Sequence, residues 1–304
     1  MPYKKRDPWS RAMREYMSEI APTICNETRR QYVYWITDAG TTLGLPNPRD
    51  VALSRMRQME FNPHLSESSN AVRGSVIRTF LRWTGNKDAL RWKLSHSIRP
   101  KEDRMFLNET QTGYLRKVSH SLGVEHELLF TLGIDNGLRG VDMRRLTMEN
   151  VNRLLTYGKA MILGKGRHGG KLGLLKLNKV SIPAIGEYLK HRRQLTNGMD
   201  FDQFWITQGR YGPMVITYPQ QRRLCLEISK AGGLSIRTHD QRASFGHRLH
   251  LTKEVPLETI AKLLRHESIT TAFKSYIGVM DEELGEALEK LCPLETIQME
   301  AVTK

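Results

Sequence analysis

Six residues with reactive or charged side chains follow one another along the last two thirds of the 304-residue chain: Arg139, Lys165, His239, Arg242, His266 and Tyr276. Each has its own local context. Arg139 lies in Asn136-Gly137-Leu138-Arg139-Gly140-Val141-Asp142, at the end of an apolar helical run. Lys165 sits in a Gly164-Lys165-Gly166 turn. His239 and Arg242 make a His-x-x-Arg box, and Leu264-Arg265-His266 precedes Ser268-Ile269-Thr270-Thr271, with Tyr276 ten residues after His266. Side chains of these types suit substitution at a phosphodiester. Guanidinium forks stabilise charge that builds on non-bridging oxygens better than a single ammonium does. An imidazole, titrating near about 6.5, moves a proton at neutral pH. A phenol, with a pKa of about 10, gains nucleophilicity from neighbouring cations.

No single motif carries this reading. Gly164-Lys165-Gly166-Arg167-His168-Gly169 fits Gly-x-Gly-x-x-Gly, but a dinucleotide site needs a helix next and a strand-like run, 172–177, follows instead. A β-hairpin turn showing Lys165, Arg167 and Lys171 to an anion accounts for it better. A second His-x-x-Arg, His96 to Arg99, lies in a polar stretch with no partner motifs. Taken one at a time, Arg242 is an ordinary surface charge, His266 a half-buried histidine and Tyr276 a packing residue. Their order and contexts together are what point to chemistry.

The composition points the same way. Net charge is +15, and residues 1–103 hold +7 of it, with 18 Lys and Arg against 11 Asp and Glu. A basic surface spread over both halves is the electrostatic footprint of a polyanion, most often nucleic acid. No apolar run is long enough to span a bilayer and no apolar stretch follows the basic N-terminus, so neither a membrane partner nor a secretory signal is expected. Cys25, Cys225 and Cys292 are scattered, without the spacing of a zinc site, which fits a reducing compartment. The expected location is cytoplasmic and nucleoid-associated.

The elements that must position the six residues fall into two groups. Residues 9–92 read as about four helices, over 9–20, 29–43, 50–59 and 66–83, separated by Ala21-Pro22, Gly44-Leu45-Pro46 and similar breaks. The 66–83 helix has an apolar face of Val72, Val76, Ile77, Phe80 and Leu81. Arg29, Arg30, Arg73, Arg78 and Arg82 on two of these helices are candidates for phosphate contact. Residues 93–103 read as a linker. Beyond it, helices over 109–121, 125–136, 183–195, 220–231, 240–251, 256–264 and 269–276 surround short strands near 160–163 and 173–177. The fold class is mainly α with a small antiparallel β-sheet in the C-terminal domain.

From Gly137 to about Ile277 the ordered set resembles the tyrosine recombinase (phage-integrase-like) family, and residues 1–92 are similar to that family's helical core-binding domain. The resemblance implies a two-domain DNA clamp, with a core-binding domain at 1–92, a linker at 93–103, a catalytic domain at 104–280 and a tail at 281–304. It implies site-specific cleavage and rejoining of double-stranded DNA, with Tyr276 as nucleophile, Arg139 and Arg242 as the phosphate clamp and His239 as proton acceptor. Lys165 protonates the leaving 5′-oxygen, His266 bonds a non-bridging oxygen, and Asp142 orients Arg139 or the backbone beside it. It implies a 3′-phosphotyrosine intermediate with no cofactor and no metal, integration or excision of a mobile element or resolution of replicon dimers, and a dimer or tetramer on DNA. A catalytically degenerate DNA-binding accessory protein and a type IB-like topoisomerase are the other readings. Three positions depart from the family pattern. Arg265 stands where a glycine is usual, Ala243 where a histidine is usual, and the spacing from His266 to Tyr276 is ten instead of nine. One extra residue turns a helical position by about 100°, so a break is expected between His266 and Tyr276.

Beyond the tyrosine, Leu284, Leu288 and Leu291 recur at helical spacing, with glutamates and Lys290 opposite. By the resemblance this tail docks on a neighbouring protomer. Deleting residues 281–304 is therefore expected to weaken assembly on paired sites more than binding to one duplex. Native gels of DNA-bound complexes check this, and equal stoichiometry with and without the tail would count against it.

Overall fold

The computed structural model describes residues 7–94, 106–165 and 170–266. It divides into two compact units, residues 1–102 with 165–171, and residues 103–164 with 172–304.

The described residues of the first unit form five α-helices: α1 (Pro8–Ile20), α2 (Asn26–Leu43), α3 (Leu53–Gln58), α4 (Glu67–Trp83) and α5 (Lys87–Arg91). Side-chain caps set their starts. The carboxylate of Asp7 accepts from the Ser10 N–H at 2.7 Å with Pro8 at the first helical position, and Ser66 and Asn86 cap α4 and α5 in the same way. Helix α2 ends where Gly44 turns left-handed and the Leu45 N–H reaches back to the Gly40 carbonyl at 2.7 Å. Between the helices lies a core of Trp9, Tyr16, Ile36, Met56, Ile77, Phe80 and Trp92. The Trp9 indole donates to the Ile36 carbonyl at 2.8 Å and meets Phe80 edge-on, with ring centroids 5.3 Å apart. Burial of such side chains contributes roughly 1.5–3 kcal/mol each.

The described residues of the second unit form eight α-helices and two hairpins: α6 (Glu109–Leu122), α7 (Val124–Ile134), α8 (Gly140–Arg145), α9 (Met148–Tyr157), α10 (Ile182–Thr196), α11 (Tyr218–Gly232), α12 (Thr238–Leu251) and α13 (Leu257–Leu263). Strands β1 (Lys159–Gly164) and β2 (Lys171–Lys176) pair with each other. Strands β3 (Ile206–Gly209) and β4 (Gly212–Val215) form a separate antiparallel ribbon in which Ile206 faces Val215. Helix α7 is the centre, with α6, α10, α11 and α12 packed around it. From Leu128 on it is apolar on every side, and Leu128, Leu129, Phe130, Leu132 and Ile134 are all buried. It packs tightly on α12 at Gly133, where a Cβ would overlap the Gln241 side chain.

The mainly helical class holds, but the sheet is two separate two-stranded ribbons and not one. Helices α5, α8 and α9 and the β3–β4 ribbon lie in stretches that the apolar periodicity left blank. Short helices such as α8 hold too few turns to show a period, and β3–β4 is a four-residue ribbon closed by a tight turn. Val72, expected in the apolar face of α4, is 40% exposed. The helix expected over 269–276 and the tail lie outside the described residues.

The turn after α7 carries Arg139 and depends on Gly137. Its φ is +58°, and a Cβ there would stand 2.5 Å from the Phe245 ring and 3.0 Å from Leu264. Backbone strain and overpacking act together at this position. Gly137→Ala is expected to destabilise the second unit by about 2–4 kcal/mol, read from the midpoint of urea unfolding. A midpoint equal to that of the wild type would refute the assignment.

Candidate active site

Three segments far apart in sequence supply the site: the turn from Gly137 to Asp142, the start of α12, and the end of α13. A capping interaction sets the first. Asp142, at the third position of α8, accepts from the Arg139 backbone N–H at 3.3 Å through Oδ2, which fixes the residue before the helix and leaves the Arg139 side chain partly exposed. Helix α12 starts alike. The Arg237 N–H donates to Asp240 at 2.9 Å, and the Arg237 guanidinium meets both oxygens of the same carboxylate. That start holds His239 exposed in the first turn. Arg242, three residues on and on the same face of the helix, points inward.

Arg242 is fully buried. Its two terminal nitrogens donate to the Gly137 carbonyl, before Arg139, and to the Leu264 carbonyl, before His266. The sequence expectation treats Arg139 and Arg242 as a matched clamp. The structure makes them unequal: Arg139 is the more open cation, and Arg242 is buried and ties two of the three segments together.

His266 is half-buried. Burial depresses its pKa first, and the charges of Arg242, Arg139, His239 and Arg265 add to the effect, bringing it to about 3. The imidazole is therefore neutral at physiological pH and retains one N–H to donate. Arg265, which the sequence marked only as a departure from a glycine, adds a cation to the cluster. Its guanidinium is buried and donates to Asp142 Oδ2 at 2.8 Å. The one sequence signal for it was that departure.

Other expected residues lie elsewhere. Lys165 is exposed directly after β1, and Lys171 is exposed at the start of β2. Tyr276 and Arg167 lie outside the described residues, as does the expected break between His266 and Tyr276. Arg29 and Arg30 are exposed on α2, with Arg30 3.7 Å from Glu27. Arg78 donates to the Trp92 carbonyl at 3.3 Å, and Arg82 to the Ala89 carbonyl at 3.0 Å. Arg73 is a correction. Only 3% of its side chain is exposed, and it is held by Asp38 at 3.0 Å and by the Met59 carbonyl. Its charge is spent inside the helical unit instead of being offered to a phosphate. Among the described residues, no group of three His, Cys, Asp or Glu is placed to hold a metal ion, and no helix is long and apolar enough to cross a membrane.

In sequence, no family model and no curated protein matches the chain. In structure, the Tn1549 transposon integrase in complex with circular intermediate DNA superposes with a TM-score of 0.69 at 15% identity, covering 91% of this chain and 99% of that one. A lambda integrase dimer bound to a COC′ core site gives 0.61 at 16%, covering 88% and 76%. XerA recombinase gives 0.53 at 16%, covering 94% and 98%. All three are tyrosine recombinases. The chain has the tyrosine-recombinase fold. The two small antiparallel ribbons on a helical frame belong to the fold of that family's catalytic domain.

The depressed pKa of His266 has a consequence for stability. Its folded value lies below the ordinary value, so between about 6.5 and about 3 the unfolded chain binds a proton that the folded chain refuses, and stability falls as the pH is lowered through that window. Lowering the pH from 7 to 5, where most carboxylates remain ionised, is expected to reduce the wild-type Tm more than that of His266→Gln. Equal losses in thermal melts would contradict a neutral, charge-crowded His266.

Proposed function

We infer that the protein is a site-specific DNA recombinase that cuts and rejoins strands through a 3′-phosphotyrosine on Tyr276. The observation that carries this is the convergence of Arg139, His239, Arg242 and His266 from three distant segments into one mutually interacting cluster, within a fold shared with tyrosine recombinases. Chance would leave four such residues scattered.

The reaction follows from the groups. The Tyr276 oxygen attacks phosphorus and the bond to the 5′-oxygen breaks. His239 takes the phenol proton, and Lys165 gives one to the leaving oxygen. Arg139 and Arg242 meet the charge on the non-bridging oxygens, and the neutral imidazole of His266 adds one hydrogen bond. The covalent link conserves the bond energy, so a 5′-hydroxyl from another strand reverses the step without a nucleotide cofactor. Asp142 orients Arg139. In this reading residues 1–92 grip the duplex with Arg29 and Arg30 as contacts, 93–103 link, 104–280 carry out the chemistry with Arg167 and Lys171 at the DNA, and 281–304 join protomers. Tn1549 integrase, XerH and lambda integrase are each solved with DNA, which supports double-stranded DNA as the partner. Integration or excision of a mobile element and resolution of replicon dimers both fit.

The test is a nicked suicide duplex bearing the recombination site found beside the coding region. Wild type is expected to form a covalent adduct and Tyr276→Phe none. Arg139→Ala should slow adduct formation by about 100-fold or more. No adduct from the wild type would leave a degenerate accessory protein as the better reading. Strand exchange between two labelled duplexes separates a recombinase from a topoisomerase.

A further inference from the structure

Arg265 holds a costly position. Its φ is +52°, in the left-handed region that strains any residue with a Cβ. Its guanidinium is nearly all buried, with 8% of the side chain exposed, and its Nε has no hydrogen-bond partner among the described residues. Room for it is made on β2, where Gly173 faces its stem. A Cβ at residue 173 would lie 3.1 Å from Arg265 Cδ. A glycine at 265 would remove both the strain and the burial.

Asp142 is what the side chain reaches. One oxygen, Oδ2, takes the 2.8 Å bond from Arg265, takes the Arg139 backbone N–H at 3.3 Å, and lies 4.0 Å from the Arg139 guanidinium. Two guanidiniums thus share one fully buried carboxylate. Arg265 has the short charge-assisted bond, and Arg139 stands off at the limit of an ion pair. One negative charge offsets one positive charge, so the surplus stays on Arg139, the more exposed of the two. Without Arg265, Arg139 would be the nearest cation for a buried carboxylate and would be drawn onto it, because a buried charge left unpaired is strongly unfavourable.

We propose that Arg265 is a positioning residue for strand cleavage: it holds the Asp142 carboxylate and so leaves the Arg139 guanidinium free for the scissile phosphate. This rests on the recombinase reading. It assigns the departure from the family's glycine a use, as an internal counter-charge that pre-sets the clamp before DNA arrives.

The test is single-turnover adduct formation on the same nicked duplex, with affinity measured by gel shift and folding by circular dichroism. Arg265→Gly suits the left-handed backbone. It is expected to bind DNA within about twofold of wild type and to form adduct at least about tenfold more slowly, while Arg265→Lys, which keeps the charge, stays within about threefold. In an Asp142→Asn background there is no carboxylate to hold, so Arg265→Gly should add less than about twofold. Wild-type speed in folded Arg265→Gly, equal losses in the glycine and lysine variants, or a further tenfold loss in the Asp142→Asn background would each overturn the proposal while leaving the recombinase reading intact. No adduct from the wild type would overturn both.

Discussion

A fully buried guanidinium organises the second unit. Arg242 enters from α12 and bonds the Gly137 and Leu264 carbonyls, which belong to turns 127 residues apart in the chain. Removing a guanidinium from water costs several kcal/mol, and the cost is met only if its donors find acceptors. Both turns have acceptors to spare, since each follows a helix and presents carbonyls without intrahelical partners. The same bonds that make the burial tolerable bring Arg139 and His266 to one place. Gly137 is part of this arrangement: its left-handed backbone and missing side chain let Phe245 and Leu264 close over the turn.

Charge in the site is then distributed by degree of burial. Arg242, Arg265 and Asp142 are inside, His239 is at the rim, and Arg139 lies between. Several cations around one carboxylate leave the cluster positive; burial is the first cause of the lowered His266 pKa, and that excess adds to it. The start of α8 and the start of α12 use one device, a carboxylate at the third helical position accepting the N–H of the residue before the helix. It sets the direction of each helix entry without relying on the flexible cationic side chains.

The helical unit shows why net charge is a coarse guide. The arginines of α4 differ in what they do: Arg73 is sealed inside against Asp38, while Arg78 and Arg82 reach carbonyls, which hold them without neutralising their charge. Arg29 and Arg30 on α2 are exposed.

Much was legible in the sequence alone. The order of Arg139, His239, Arg242 and His266, the helical class and the long helices follow from local patterns, because helix breakers and apolar periods act within a few residues. The tertiary structure decided the rest. Nothing local to Arg73 or Arg242 says that their charges lie inside, because burial depends on acceptors supplied by distant segments. Nothing local to Arg265 says that it meets Asp142, 123 residues away. The sequence could mark Arg265 only as a residue out of pattern. What it contacts was settled by the left-handed turn that aims it, the glycine of β2 that admits it, and a carboxylate that only the folded chain brings within reach.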